Sequence, residues 1–159
     1  MKIVPAEITY RNMRFVIIDR PSKSSVTQYV KDLQRLNTSL VVRVCEPTYE
    51  DSHFEREGIL VHELMFEDGE QPPATVIKEW LRLTKKMFSD KPESAVAVHC
   101  VAGLGRAPVL VAIALIEGGM RYEDAVEFIR RQRKGAINMK QLEFLERYKS
   151  GNKKGCAVM

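Results

Sequence analysis

Apolar residues along the chain fall into two kinds of run. Four are short, nearly continuous and rich in β-branched residues: Arg14 to Ile18, Ser39 to Val44, Gly58 to Leu64 and Ala95 to His99. Runs of that length and composition predict strands. Others recur at three- and four-residue spacing. Val26, Tyr29, Val30, Leu33 and Leu36 fall on one helical face between the first two strands, and Val76, Ile77, Trp80, Leu81, Met87 and Phe88 define a helix that starts at Pro72-Pro73. A helix over Val109 to Ile116 ends at Gly118-Gly119, and two amphipathic helices, Tyr122 to Gln132 and Asn138 to Tyr148, are separated by Lys134-Gly135. Strand alternating with helix predicts an α/β domain whose mainly parallel sheet is flanked by helices, with any site at the carboxyl ends of the strands.

With 159 residues, 45% of them hydrophobic, the chain is long enough for one domain with a substantial core, and no Pro/Ser/Gly-rich linker divides it. We expect a domain over residues 1–148 followed by a basic tail, 149–159. The first residues lack the apolar stretch of a signal peptide, and the longest apolar run, Ala107 to Ile116, is about half a membrane span, so the body is expected to be soluble and intracellular. Three cysteines, Cys45, Cys100 and Cys156, do not make a secreted disulfide framework. A net charge of +4 is a mild bias toward anionic partners and does not indicate nucleic acid.

The chemistry concentrates in His99-Cys100-Val101-Ala102-Gly103-Leu104-Gly105-Arg106, which joins a strand to a helix through a glycine-rich turn. Backbone N–H groups of Val101, Ala102, Gly103, Leu104 and Gly105, gathered at the positive end of a helix, would form a concave seat for a phosphate, and the Arg106 fork can take two phosphoryl oxygens. Helix amides and a guanidinium favour thiolate over thiol, which makes Cys100 a nucleophile rather than a structural core cysteine. His99 alternates to the other side of the strand and is expected to orient the loop through a hydrogen bond. Cys45, His53, His62, His99 and Cys100 lack the spacing of a zinc site, so no metal and no cofactor is expected.

Phosphoryl transfer also needs a proton for the leaving oxygen. Glu67-Asp68-Gly69 follows the third strand, in a loop bounded by Pro72-Pro73; Asp68 is the candidate donor and Glu67 the alternative. Asn138 and Gln141, three apart at a helix start, read as an N-cap and a surface amide. Arg130-Arg131-Gln132-Arg133-Lys134 reads either as a solvated helix end or as an extension of the positive field toward a polyanionic substrate. Cys45 ends its strand as Cys100 does, so in a parallel sheet both thiols emerge on one edge. The last four residues, Cys156-Ala157-Val158-Met159, form a C-a-a-X box of the farnesyl type behind Arg147, Lys149, Lys153 and Lys154.

Taken together, Val42-Arg43-Val44-Cys45-Glu46, Asp68-Gly69, the run from His99 through Ala107-Pro108, Ala114-Leu115-Ile116-Glu117-Gly118-Gly119-Met120, Tyr122-Glu123-Asp124-Ala125-Val126 and the C-a-a-X end resemble the PRL phosphatases (protein tyrosine phosphatase type IVA) among the dual-specificity cysteine phosphatases. The resemblance covers nearly the whole chain. It implies the cysteine-phosphatase fold and a prenylated phosphatase acting through a phosphocysteine, with Cys100 as nucleophile, Arg106 as phosphate clamp, Asp68 as general acid, Cys45 as redox partner of Cys100, Gln141 as an aid to the hydrolytic water and Cys156 as the lipidated residue. Implied substrates are proteins phosphorylated on tyrosine, serine or threonine, or a phosphoinositide. Implied partners are the paired cystathionine-β-synthase domains of cyclin-M type magnesium transporters and an anionic membrane surface, with association of like chains at that membrane. Implied locations are the cytoplasmic face of the plasma membrane or endosomes, and cytosol or nucleus without the lipid. The chain departs from the family in carrying Leu64-Met65-Phe66 where Trp-Pro-Phe is usual, and in setting two residues, Glu70-Gln71, before its prolines. Ala107 stands where cysteine phosphatases commonly place a Ser or Thr that helps the thiolate leave, which implies slow turnover.

Overall fold

The computed structural model describes residues 5–101 and 104–148. Its elements run β1 (Ala6–Tyr10), β2 (Met13–Ile18), α1 (Val26–Arg35), β3 (Thr38–Arg43), α2 (Ser52–Glu55), β4 (Leu60–Glu63), α3 (Ala74–Asp90), β5 (Ala95–His99), α4 (Arg106–Glu117), α5 (Tyr122–Gln132) and α6 (Met139–Arg147). The sheet order is β1-β2-β5-β3-β4, with β1 antiparallel to β2 and the other neighbours parallel. The expected α/β class with a mainly parallel sheet holds, and β1 adds one antiparallel pairing at the edge.

Both sheet faces are covered, which is why the strands read as continuous apolar runs. Phe15, Ile17, Leu40, Val42, Val96 and Val98 face one core, built with Trp80 and Phe88 of α3 and nearly all of α4. Their neighbours Val16, Ile18, Val41, Ala95 and Ala97 face a second core with Val26 and Leu33 of α1, Phe54 of α2 and Tyr49. Phe15 packs edge-on against Phe88, centroids 5.4 Å apart, and Trp80 Nε1 donates to the Leu110 carbonyl at 2.7 Å, fastening α3 to α4.

Two elements escape the apolar pattern. β1 buries only Ala6 and Ile8 fully, too little to stand out, and α2 is a single turn. The fourth strand is shorter than its apolar run, because Gly58 sits at φ +81, outside strand geometry. Among the described residues no helix is long and apolar enough to cross a membrane.

β5 lies between β2 and β3, and its register sets Arg43 beside His99. The chain segments leaving β3 and β5, which carry Cys45 and Cys100, therefore emerge together at one sheet edge.

Candidate active site

Cys100 follows the last residue of β5 and is 3% exposed. The loop beyond it is pinned at both described sides: the Arg20 N–H donates to the Val101 carbonyl at 3.2 Å, and the Ile137 N–H to the Leu104 carbonyl at 2.7 Å. Ala102 and Gly103, expected in the phosphate seat, lie outside the described residues. Gly105 caps α4, and Arg106 is that helix's first residue.

Arg106 is 7% exposed. Its Nη1 donates to the Phe66 carbonyl at 3.2 Å, and its Nε lies 3.6 Å from Oδ1 of Asp68 and makes no hydrogen bond among the described residues. A buried guanidinium with unused donor capacity at the first turn of a helix is suited to an oxyanion. Asp68 is 80% exposed at its side chain, so the carboxyl reaches the guanidinium from the solvent side.

The Asp68 loop is tied to the start of α6. Gly69 adopts φ +77, and its carbonyl accepts from Asn138 Nδ2 at 3.3 Å; Gln141 Nε2 donates to the Glu70 carbonyl at 3.4 Å, and Lys140 Nζ to Glu70 Oε2 at 2.5 Å. Asn138 and Gln141 form a reciprocal capping box, Gln141 N–H to Asn138 Oδ1 at 2.8 Å and Asn138 N–H to Gln141 Oε1 at 3.1 Å. Asn138 is the N-cap that the sequence suggests. Gln141 is no surface amide: it is fully buried. A Cβ on Gly105 would come 3.6 Å from Gln141 Nε2 and 3.8 Å from Asp68 Oδ1, ordinary contact distances, so both side chains lie against the loop. A cleft of about 360 Å³ is lined by Cys100, Gly105, Asp68 and Gln141, and a neighbouring cleft of about 600 Å³ by Cys45, Arg106, Asp68 and Phe66.

Behind Cys100, His99 is fully buried. Tyr49 Oη lies 2.6 Å from His99 Nε2, the Cys100 carbonyl 3.3 Å from Nδ1 and Cys45 Sγ 3.8 Å from Nδ1. Burial, aided by the Arg43 and Arg20 charges, pulls His99 down to about 4, so the ring is neutral at pH 7. Burial pushes Tyr49 up to about 12, keeping its hydroxyl protonated. The phenol therefore donates to Nε2, and the remaining ring proton sits on Nδ1, where it donates to the Cys100 carbonyl. Arg43, fully buried, stands 5.2 Å from the Tyr49 ring centroid, pairs with Asp51 at 2.6 Å and bonds Glu63. Tyr49 was not singled out from the sequence and Arg43 entered only within a family-like segment, with no role; the pairing of β3 with β5 brings them to His99.

Cys45 and Cys100 are both buried free thiols. Burial, with Cys100 nearby, pushes the Cys45 thiol up, against the opposing charges of Arg106, Arg20 and Arg43. The basic run at the end of α5 is largely a solvated helix end, with Arg130, Arg131, Gln132 and Lys134 exposed, and none of its residues lines either cleft. Arg130 donates to the Ala136 and Ile137 carbonyls, Arg131 pairs with Glu127, and Arg133 is held by Asp19 and the Ile17 carbonyl. Cys156 and the tail lysines lie outside the described residues.

A thiol at the end of a central parallel strand, an arginine opening the next helix and an acid loop closing from the side define a cysteine phosphatase of the dual-specificity fold. Residues 17–120 match the family described as "Polymorphic toxin system, DSP-PTPase phosphatase". The chain is 54% identical over 145 residues to protein tyrosine phosphatase type IVA 3 of Bos taurus, covering 91% of this chain and 84% of that protein. It is 51% identical over 166 residues to PRL-1 phosphatase of Drosophila melanogaster, covering 99% and 94%. A solved structure described as a protein tyrosine phosphatase from Leishmania major superposes with TM-score 0.82 at 38% identity, covering 92% of this chain and 99% of that one. The chain belongs to the PRL, or type IVA, family of protein tyrosine phosphatases.

Proposed function

We propose that the phosphatase works through a phosphocysteine on Cys100 and turns over slowly. In the first step Cys100 Sγ attacks phosphorus, the S–P bond forms, the ester P–O bond breaks and the leaving oxygen takes a proton from Asp68. Arg106 holds two phosphoryl oxygens as charge builds. In the second step water attacks phosphorus, the S–P bond breaks and the proton returns to the Asp68 carboxylate, with Gln141 orienting the water. Ala107, buried behind Arg106, has no hydroxyl to assist the departing thiolate, so this step limits. The observation that supports the reading most is the buried Arg106 guanidinium, its Nε without a hydrogen bond and 3.6 Å from Asp68, opening the helix that follows Cys100. Mixing with an aryl phosphate and locating the phosphoryl group by mass spectrometry tests it: phosphate on Cys100 is expected, and hydrolysis that survives Cys100→Ser contradicts it.

The finer regulation forms part of the same proposal. Cys45 caps an oxidised Cys100 as a disulfide, supported by the shared proximity of both thiols to the His99–Arg106 region. Residues 149–159 are a tail outside the catalytic domain of 1–148, and a farnesyl on Cys156 with Lys149, Lys153 and Lys154 carries the protein to an anionic cytoplasmic membrane, where like chains associate. Cys156→Ser should release it to the soluble fraction; unchanged membrane fractionation would count against the anchor.

A second reading is that the cleft grips a partner protein, of which the paired cystathionine-β-synthase domains of a cyclin-M type magnesium transporter are the expected example. The exposure of Val101, Leu104 and Met65 beside the cleft favours it. Loss of partner binding on phosphorylating Cys100 separates this role from turnover.

A further inference from the structure

The molecule is basic overall, yet the mouth of its catalytic cleft is not. Arg130 and Arg133 bond backbone carbonyls and Asp19, and neither they nor Arg131 line the two clefts, so they do not supply a cationic rim. Among the described residues lining the larger cleft, the exposed charges are Glu46, Glu67, Asp68 and Glu70 against Arg20. Lys140 offsets Glu70 and Asp68 faces Arg106, which leaves Glu46 and Glu67 against the single charge of Arg20, a rim acidic on balance. The buried Arg106, whose Nε makes no hydrogen bond among the described residues, marks where a bound phosphate sits. Apolar side chains complete the lip: Val101 is 46%, Met65 40% and Leu104 39% exposed.

A polyphosphorylated inositol headgroup would bring further negative charge against this rim, and like-charge juxtaposition opposes binding. A peptide with lysine or arginine beside its phosphorylated residue brings the complementary sign, and its apolar side chains can cover the lip. We infer that the cleft selects phosphotyrosine in a protein segment with basic residues flanking it, and disfavours acidic segments and inositol phospholipids. The inference rests on the phosphocysteine reading and adds the substrate class to it.

The test uses the full chain and three phosphotyrosine peptides that differ only in two flanking positions on each side, filled with lysine, alanine or glutamate. A water-soluble short-chain phosphoinositide is the fourth substrate. Each kcat/KM is divided by the same enzyme's value on p-nitrophenyl phosphate, so that a change in folding or in chemistry cancels. Lysine-flanked peptide is expected to exceed glutamate-flanked peptide by on the order of tenfold at low salt, with the gap shrinking as ionic strength rises, and to exceed the phosphoinositide. Glu46→Lys should narrow the gap, and Glu46→Gln should narrow it less. Equal or reversed peptide preferences, or a phosphoinositide hydrolysed faster than the lysine peptide, overturn the inference while leaving the phosphocysteine intact. Failure to hydrolyse even p-nitrophenyl phosphate, or hydrolysis undiminished in Cys100→Ser, overturns the phosphocysteine reading and this inference with it.

Discussion

The Tyr49 hydroxyl lies 2.6 Å from Nε2 of His99, a buried contact that joins the loop after β3 to the last residue of β5. It fixes which ring nitrogen carries the proton, and the other nitrogen holds the Cys100 carbonyl at 3.3 Å. Tyr49→Phe leaves a buried ring nitrogen without its donor, at a cost of about 1 to 3 kcal/mol. Denaturant unfolding should show that loss, and turnover should fall with it as the backbone at Cys100 loses its restraint. A variant as stable and as active as the parent would remove Tyr49 from the account.

The same histidine sets a pH dependence. Its native value is lowered from 6.5 to about 4, mainly by burial, so between those values the unfolded chain binds a proton that the folded chain refuses. Stability from His99 is therefore complete above pH 6.5 and is lost as pH falls toward 4, by about 3 kcal/mol in all. Urea midpoints measured across this window should decline less steeply in His99→Asn than in the parent. Parallel declines would show that other groups control the acid side.

Asn138 couples the end of one helix to the acid loop, capping α6 through Gln141 and bonding Gly69. Removing such a cap costs about 1 kcal/mol. Asn138→Ala should lose that stability and should also slow release of a poor leaving group more than of p-nitrophenol, since Asp68 protonates only the former to advantage. A uniform effect on both leaving groups would confine Asn138 to a structural role.

Mild peroxide should inactivate the enzyme reversibly, with peptide mapping showing Cys45 joined to Cys100, because a neighbouring thiol traps the sulfenic acid before further oxidation. In Cys45→Ser the same dose should give activity that reductant does not restore. Cys100 driven to higher acids in the parent, with Cys45 untouched, would refute the pairing.

Strands β2 to β5 and the long helices were legible because sheet faces and helix stripes leave periodic marks; α5 runs from Tyr122 to Gln132 as its pattern predicts. The pair Cys100 and Arg106 stood out too, since the two lie six positions apart on either side of one short glycine-rich turn. Gln141 did not, because its burial depends on a loop seventy residues away, through the Glu70 carbonyl. Nor did the support behind Cys100, as Tyr49, Arg43 and His99 meet only through the pairing of β3 with β5. One residue of the arginine run was illegible for the same reason: Arg133 finds Asp19 across 114 positions of chain, which no local charge pattern shows.

The phosphocysteine is the claim on which the rest depends, and rapid mixing of enzyme with excess aryl phosphate tests it most directly. A missing hydrogen bond to the departing thiolate is worth about 2 to 4 kcal/mol, which slows the second step by roughly one to three orders of magnitude. A burst of phenol near one equivalent of enzyme, followed by slow release, is therefore expected, with Ala107→Ser accelerating the slow phase and leaving the burst unchanged. Linear product release from the first turnover, with no phosphate recoverable on Cys100 and no gain from the serine at 107, would contradict the account.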